Sequence, residues 1–152
     1  MAIALMRVDD RLVHGQVVEG WLPSLGVDLI VVVSDAAAAD PVQASLMKMA
    51  MPPSVGLLVV SVADAPDALS SPKMAARRAL VLVPGPAEAL SLLKRGVAVQ
   101  RVNVGGLHFT TSAMSSCGTP KPAMARTMRR WSSVGAKGLR PVIRERRVGL
   151  VR

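Results

Sequence analysis

The sequence predicts an open, mainly parallel α/β sheet with helices on both faces. Three observations predict it. Short runs rich in β-branched residues alternate with longer stretches of helical character, the pattern of βαβ units. The runs are apolar throughout rather than alternating, as strands covered on both faces must be. Glycines and prolines fall at the junctions between the two kinds of segment. The chain has 152 residues, 51% apolar and 19% charged, so burial offsets chain entropy and a core can form.

The elements follow in order. Ala2 to Val8 reads as the first strand, and Gly15 to Leu22 as a helix ended near Pro23 and Gly26. Asp28 to Val33 is a fully apolar strand. Asp40 can cap a helix that starts at Pro41, runs through Leu46 and Met49 to Met51, and stops at Pro52-Pro53. Gly56 to Ser61 is the third strand, with a short helix from Asp64 to Ser70 behind it. Ala79 to Val83 is the fourth, followed by a helix from Pro86 to Lys94 that Gly96 closes. Val99 to Val104 is the fifth and runs into Gly105-Gly106. A basic helix over Ala123 to Val134 and a last strand over Leu139 to Arg144 complete the reading. No repeat or linker divides the chain, so 1–152 is expected to form one domain.

Composition excludes several function classes. The aromatic residues are Trp21, Phe109 and Trp131 alone, too few for a platform that stacks single-stranded nucleic acid. A single cysteine, Cys117, leaves no disulfide framework and no multi-cysteine zinc site. No apolar run approaches the roughly 20 residues of a membrane span. No secretory signal opens the chain, and a cytoplasmic location is expected. The net charge of +9 suggests nucleic acid until the charge is located. Residues 1–100 hold eight Lys/Arg and nine Asp/Glu, a net of −1; residues 101–152 hold eleven and one, a net of +10. The basicity therefore belongs to the end of the chain, and no nucleic acid is expected as partner.

Open parallel sheets bind their ligands beyond the carboxyl ends of the strands. The first such loop is the most informative: Asp9-Asp10-Arg11-Leu12-Val13-His14-Gly15-Gln16. Histidine is a nucleophile near neutral pH, arginine binds phosphate oxygens two-pronged, and the start of a helix offers free N–H groups to an anion. Together these suit a histidine that takes and passes on a phosphoryl group. From the residues alone, His14 is equally a polar loop residue beside an Arg11–Asp10 surface pair. His108 and Cys117 have no partner in the sequence that marks them as catalytic. No phosphate-cradling glycine loop is present.

The run from Val8 to Val18, with Gly20-Trp21 after it, resembles the opening of the mannose/fructose/sorbose-family IIB subunits of the bacterial phosphoenolpyruvate-dependent sugar phosphotransferase system. The resemblance continues through Ile30-Val31-Val32-Val33-Ser34-Asp35, Lys48-Met49-Ala50 before Pro52-Pro53, Ser61-Val62 and Asn103-Val104-Gly105-Gly106, over residues 3–109. It implies that His14 accepts a phosphoryl group from a phosphohistidine of a IIA domain and passes it to a sugar held by the IIC/IID membrane pair. Arg11 would neutralise the phosphoryl oxygens, and Asp10 would orient Arg11 or the imidazole. Gly15 and Gln16 complete the loop, while Ser34, Asp35, Gly105 and Gly106 border the pocket. No metal or cofactor is implied, and the chain would sit at the inner membrane through its transporter partners. A homodimer is compatible with the sequence. The other reading is a regulatory phosphotransfer or interaction module uncoupled from transport. From Thr110 the likeness fades into Arg-, Pro-, Ala- and Gly-rich sequence, which fits either a lineage-specific tail or a shift of coding frame.

Overall fold

The structure, a computed structural model, describes residues 2–105 and 140–142. Six parallel strands form one sheet among these residues: β1 (Ala2–Val8), β2 (Leu29–Val33), β3 (Gly56–Val60), β4 (Arg78–Val83), β5 (Arg101–Val104) and β6 (Arg140–Val142). Their order is β3-β2-β4-β1-β5-β6. The expected open α/β architecture is what forms. The described part of the last strand is three residues long and pairs parallel with β5. The expected helix over Ala123 to Val134 lies outside the described residues, as do Gly106, His108 and Cys117.

The strands form because their residues are apolar on both sides. All five residues of β2, Leu29-Ile30-Val31-Val32-Val33, are buried. Alternate residues go to opposite faces. Leu29, Val31, Val33, Ala79, Val81 and Val83 join one core cluster, and Ile30, Val32, Leu80 and Leu82 the other. The first cluster is covered by α4 (Ala65–Ser70) and α5 (Pro86–Lys94). The second is covered by α1 (Leu22–Leu25), α2 (Asp35–Ala39) and α3 (Pro41–Met49). The crossovers β1–β2 and β2–β3 thus use one face and β3–β4 and β4–β5, which run the other way across the sheet, the other face, as connections of a single hand require.

Three elements depart locally from expectation. The helix expected over Gly15 to Leu22 is wound as a π-helix from Gln16 to Trp21 and then gives one α turn ended by Gly26 at φ +57°. The helix expected from Pro41 to Met51 ends at Met49 and is preceded by a separate helix, α2. Ser34 begins α2 by accepting a hydrogen bond from the Ala37 N–H, and Asp40 then caps α3 through the N–H groups of Val42 and Gln43. The fifth strand starts at Arg101 rather than Val99.

Candidate active site at the carboxyl end of the central strands

β1 lies between β4 and β5. The chain leaves β1 in one direction across the sheet and β5 in the other, which makes their carboxyl ends a topological switch point. Backbone bonds hold the three strand ends together: the Asp9 N–H donates to the Val83 carbonyl (2.9 Å) and the Gly105 N–H to the Val8 carbonyl (2.8 Å).

The loop that follows turns sharply. Leu12 adopts φ +56°, a left-handed conformation that a branched side chain enters at a cost of roughly 1–2 kcal/mol. Leu12 and Val13 are both buried in the core cluster on this face. Burying a leucine contributes about 1.5–3 kcal/mol, so apolar anchoring offsets the strain and fixes the loop that carries His14.

Asp9 is the centre of the site. Its side chain is fully buried, and His14 Nε2 lies 3.0 Å from its Oδ2. The same oxygen accepts two bonds from Arg7, from Nε at 3.0 Å and Nη2 at 2.7 Å. Oδ1 accepts the Arg11 N–H at 3.3 Å and faces Arg11 Nε at 3.7 Å. Burial pushes the Asp9 carboxyl up, but hydrogen bonds from His14 and Arg7 and their charges outweigh it and hold the group below the usual carboxylate range. Asp9 is therefore an acceptor only, so the facing Nε2 must carry the proton.

Arg7 is enclosed in turn. It sits opposite Asn103 in the β1–β5 register and donates from Nη1 to Asn103 Oδ1 at 2.6 Å. Its guanidinium carbon lies 5.0 Å from the centre of the Trp21 ring. Gly105 is also packed against it: a Cβ at Gly105 would overlap the Arg7 guanidinium carbon, so any side chain here would have to displace the guanidinium from its partners. Arg11 differs, with a side chain 42% exposed and a bond from Nη2 to Gln16 Oε1 at 3.3 Å.

The structure thus brings His14, Arg11, Gln16 and Gly105 to one place, with Gly15 exposed and open space around it. A carboxylate that holds the imidazole and faces Arg11 is that of Asp9, and half-buried Asp10 follows it. Ser34 and Asp35 stand at the end of β2, separated from β1 by β4. Ser34 caps α2, and Asp35 Oδ1 accepts the Val62 N–H at 2.8 Å, tying β2 to the loop after β3. Arg7 was not singled out from the sequence, and Asp9 and Asn103, though inside the quoted motifs, were given no role. The signal was there: an arginine inside an apolar strand needs a buried partner, and strand alternation brings residue 9 to the side of residue 7. Among the described residues no group of three or more His, Cys, Asp or Glu side chains is arranged to hold a metal ion. No described helix is long and apolar enough to cross a membrane.

Residues 3–119 match the family model described as PTS system sorbose subfamily IIB component, reaching past residue 109, where the motif likeness ends. The chain is 42% identical over 109 residues to the PTS system mannose-specific EIIAB component of Escherichia coli K12; that match covers 72% of this chain and 34% of the relative. It is 38% identical over 109 residues to the PTS system fructose-specific EIIB component of Bacillus subtilis, covering 72% of this chain and 67% of that one. The chain therefore matches about a third of the length of the mannose-specific relative. Its fold superposes on the crystal structure of the IIBSor domain of the sorbose permease from Klebsiella pneumoniae with a TM-score of 0.83 at 26% identity, covering 95% of this chain and 88% of that one. With residues 3–119 matched by the family model and relatives at 36–42% identity over 109 residues, the chain belongs to the sorbose-subfamily IIB components of the sugar phosphotransferase system.

Proposed function

We propose that this chain is a phosphocarrier that accepts a phosphoryl group on His14 Nδ1 from a phosphohistidine of a IIA domain and delivers it to a sugar hydroxyl at a IIC/IID membrane complex. The single observation that supports this most is the bond between His14 Nε2 and Asp9 Oδ2. An imidazole that keeps its proton on Nε2 presents its lone pair on Nδ1, and that nitrogen attacks phosphorus. In the first transfer the donor's N–P bond breaks as the Nδ1–P bond forms. In the second, that bond breaks as the sugar oxygen takes the phosphoryl group and its proton passes to water.

The two arginines divide the electrostatic work. Arg7 is buried and committed to Asp9 and Asn103; Arg11 is the cation with solvent-facing N–H groups, free to meet phosphoryl oxygens. The loose transition state of phosphoryl transfer asks for such positioning and charge rather than covalent machinery. The relative that carries IIA and IIB in one chain supports a IIA domain as donor. The relatives' names carry different sugars, so no sugar is assigned. Binding to transporter subunits would hold the chain at the cytoplasmic face of the inner membrane.

The test is phosphate incorporation from phosphoenolpyruvate and the upstream carriers, mapped by mass spectrometry. One acid-labile, base-stable phosphate on His14 is expected, with none on His14→Ala. Full labelling of His14→Ala overturns the reading. Arg11→Lys should transfer more slowly, because a point charge cannot reproduce the two-pronged contact; an unchanged rate removes Arg11 from the mechanism.

A further inference from the structure

Trp21 ends the π-helical segment, half-buried, with its ring over Arg7. π-helical turns are rare and recur at functional sites. The wider winding here decides where on the helix circumference Trp21 points. Nothing in the transfer steps uses the indole directly, yet it covers Arg7, the buried cation whose guanidinium donates to the histidine's own partner.

We propose that Trp21 is a positioning residue for His14, acting through Arg7 and Asp9. The inference rests on the phosphocarrier reading and adds to it the part that keeps the ring in one tautomer. A guanidinium is fixed by its edges and its faces. The Arg7 edges are committed, Nε and Nη2 to Asp9 Oδ2 and Nη1 to Asn103 Oδ1. Its faces are held by the Trp21 ring and by the close backbone of Gly105. Asp9 Oδ2 serves Arg7 and His14 Nε2 together, so any tilt of the guanidinium moves the oxygen that defines the tautomer. Without the ring, water reaches the Arg7–Asp9 pair, the shared oxygen loosens, and the His14 proton spreads over both nitrogens. A ring protonated on Nδ1 has no lone pair there to attack phosphorus.

The experiment compares Trp21→Leu and Trp21→Phe with the unaltered full-length chain. Trp21→Leu should accept phosphate about tenfold more slowly at saturating phosphorylated donor, as expected for a lost desolvated cation–π contact, with KM for the donor unchanged. Trp21→Phe keeps a ring face and should recover most of the rate. Nitrogen-15 NMR of the imidazole should show one tautomer, protonated on Nε2, in the unaltered chain and Trp21→Phe, and a mixture in Trp21→Leu. An unchanged rate, an effect on KM alone, equal loss in both variants, or a single tautomer in Trp21→Leu each overturn the proposal. If Trp21→Leu does not fold, Trp21→Met fills the space with a flexible apolar chain and carries the same expectations. If the unaltered chain takes no phosphate, the phosphocarrier reading fails. The tautomer measurement needs no partner and still decides the role of Trp21.

Discussion

Among the described residues, the Arg–Asp ion pairs Arg77–Asp28 and Arg7–Asp9 are of nearly equal length, stand at opposite ends of the sheet and do different things. At the amino end, Arg77 Nε meets Asp28 Oδ2 at 2.9 Å with side chains 39% and 47% exposed. At the carboxyl end, Arg7 Nη2 meets Asp9 Oδ2 at 2.7 Å with side chains 7% and 0% exposed. Asp28 uses its remaining oxygen on the backbone, accepting the Arg78 N–H at 2.8 Å, so its work is to tie β2's start to β4. Asp9 uses its remaining capacity on a histidine. Distance therefore says little about what an ion pair is for; burial and the third partner say more. The carboxyl-end pair is desolvated, surrounded and shared with a nucleophile; the amino-end pair has half-exposed side chains and is anchored to the backbone, with Arg77 Nη2 donating to the Asp28 carbonyl at 2.8 Å.

Removing one partner at each end breaks the comparison most directly. Arg7→Met leaves the Asp9 carboxylate without its buried cation, with only His14 and half-exposed Arg11 beside it, and loss of one member of a buried pair costs about 3–5 kcal/mol. Arg77→Met leaves a half-exposed carboxylate that water can solvate, at a cost within about 1 kcal/mol. Urea unfolding of the two variants should show this difference in midpoint with similar slopes. Equal losses would mean that the carboxyl-end pair is no more desolvated than the other.

What the sequence made legible follows from the same contrast. The strands were legible because β2 and β4 are apolar on both sides, which only a covered parallel sheet explains. The position of His14 beyond β1 was legible from the order of residues alone. The role of Asp9 was not, because adjacent carboxylates differ only in which side of the strand they continue, and it is the bond to Arg7 that places Asp9. Arg7 was hidden inside an apolar run. Ser34 reads as a pocket residue by its place after β2, whereas its hydroxyl caps α2. That helix itself was hidden, since Ala36 to Ala39 carries no apolar–polar period to mark it. The π winding of Gln16–Trp21 left no mark either, because wider turns do not change which residue types are apolar.

Acid sharpens the comparison at the carboxyl end. The Asp9 carboxyl titrates below its ordinary value in the folded chain because, although burial opposes ionisation, bonds from His14 and Arg7 prevail. An unfolded aspartate takes its proton at about 3.9. A group depressed on folding contributes stability that is fully present above the unfolded value and is lost as pH falls through the folded one. Melting temperature should therefore fall as pH drops below about 5, with a component absent from Asp9→Asn. The comparison must be of slopes, since Asp9→Asn also leaves Arg7 without its anion and starts from a lower stability. Parallel slopes for the two proteins would show that Asp9 binds protons alike in both states.

Salt should give the smallest effect and separate the pairs by a different property. Charges in water are screened within about 8–10 Å at physiological ionic strength, while buried pairs are screened much less. A double-mutant cycle on Arg77 and Asp28 should return a coupling of about 0–1 kcal/mol at low salt that shrinks toward zero as salt rises. Asp28→Asn keeps an oxygen for the Arg78 N–H, so the cycle removes the charge without removing that backbone bond. The corresponding cycle on Arg7 and Asp9 should hold nearly constant over the same range, because neither side chain is more than 7% exposed. A coupling at Arg77–Asp28 that resists salt would mean that the amino-end pair, despite its exposure, is organised by its neighbours. The difference between the two ends of the sheet would then lie in the histidine alone.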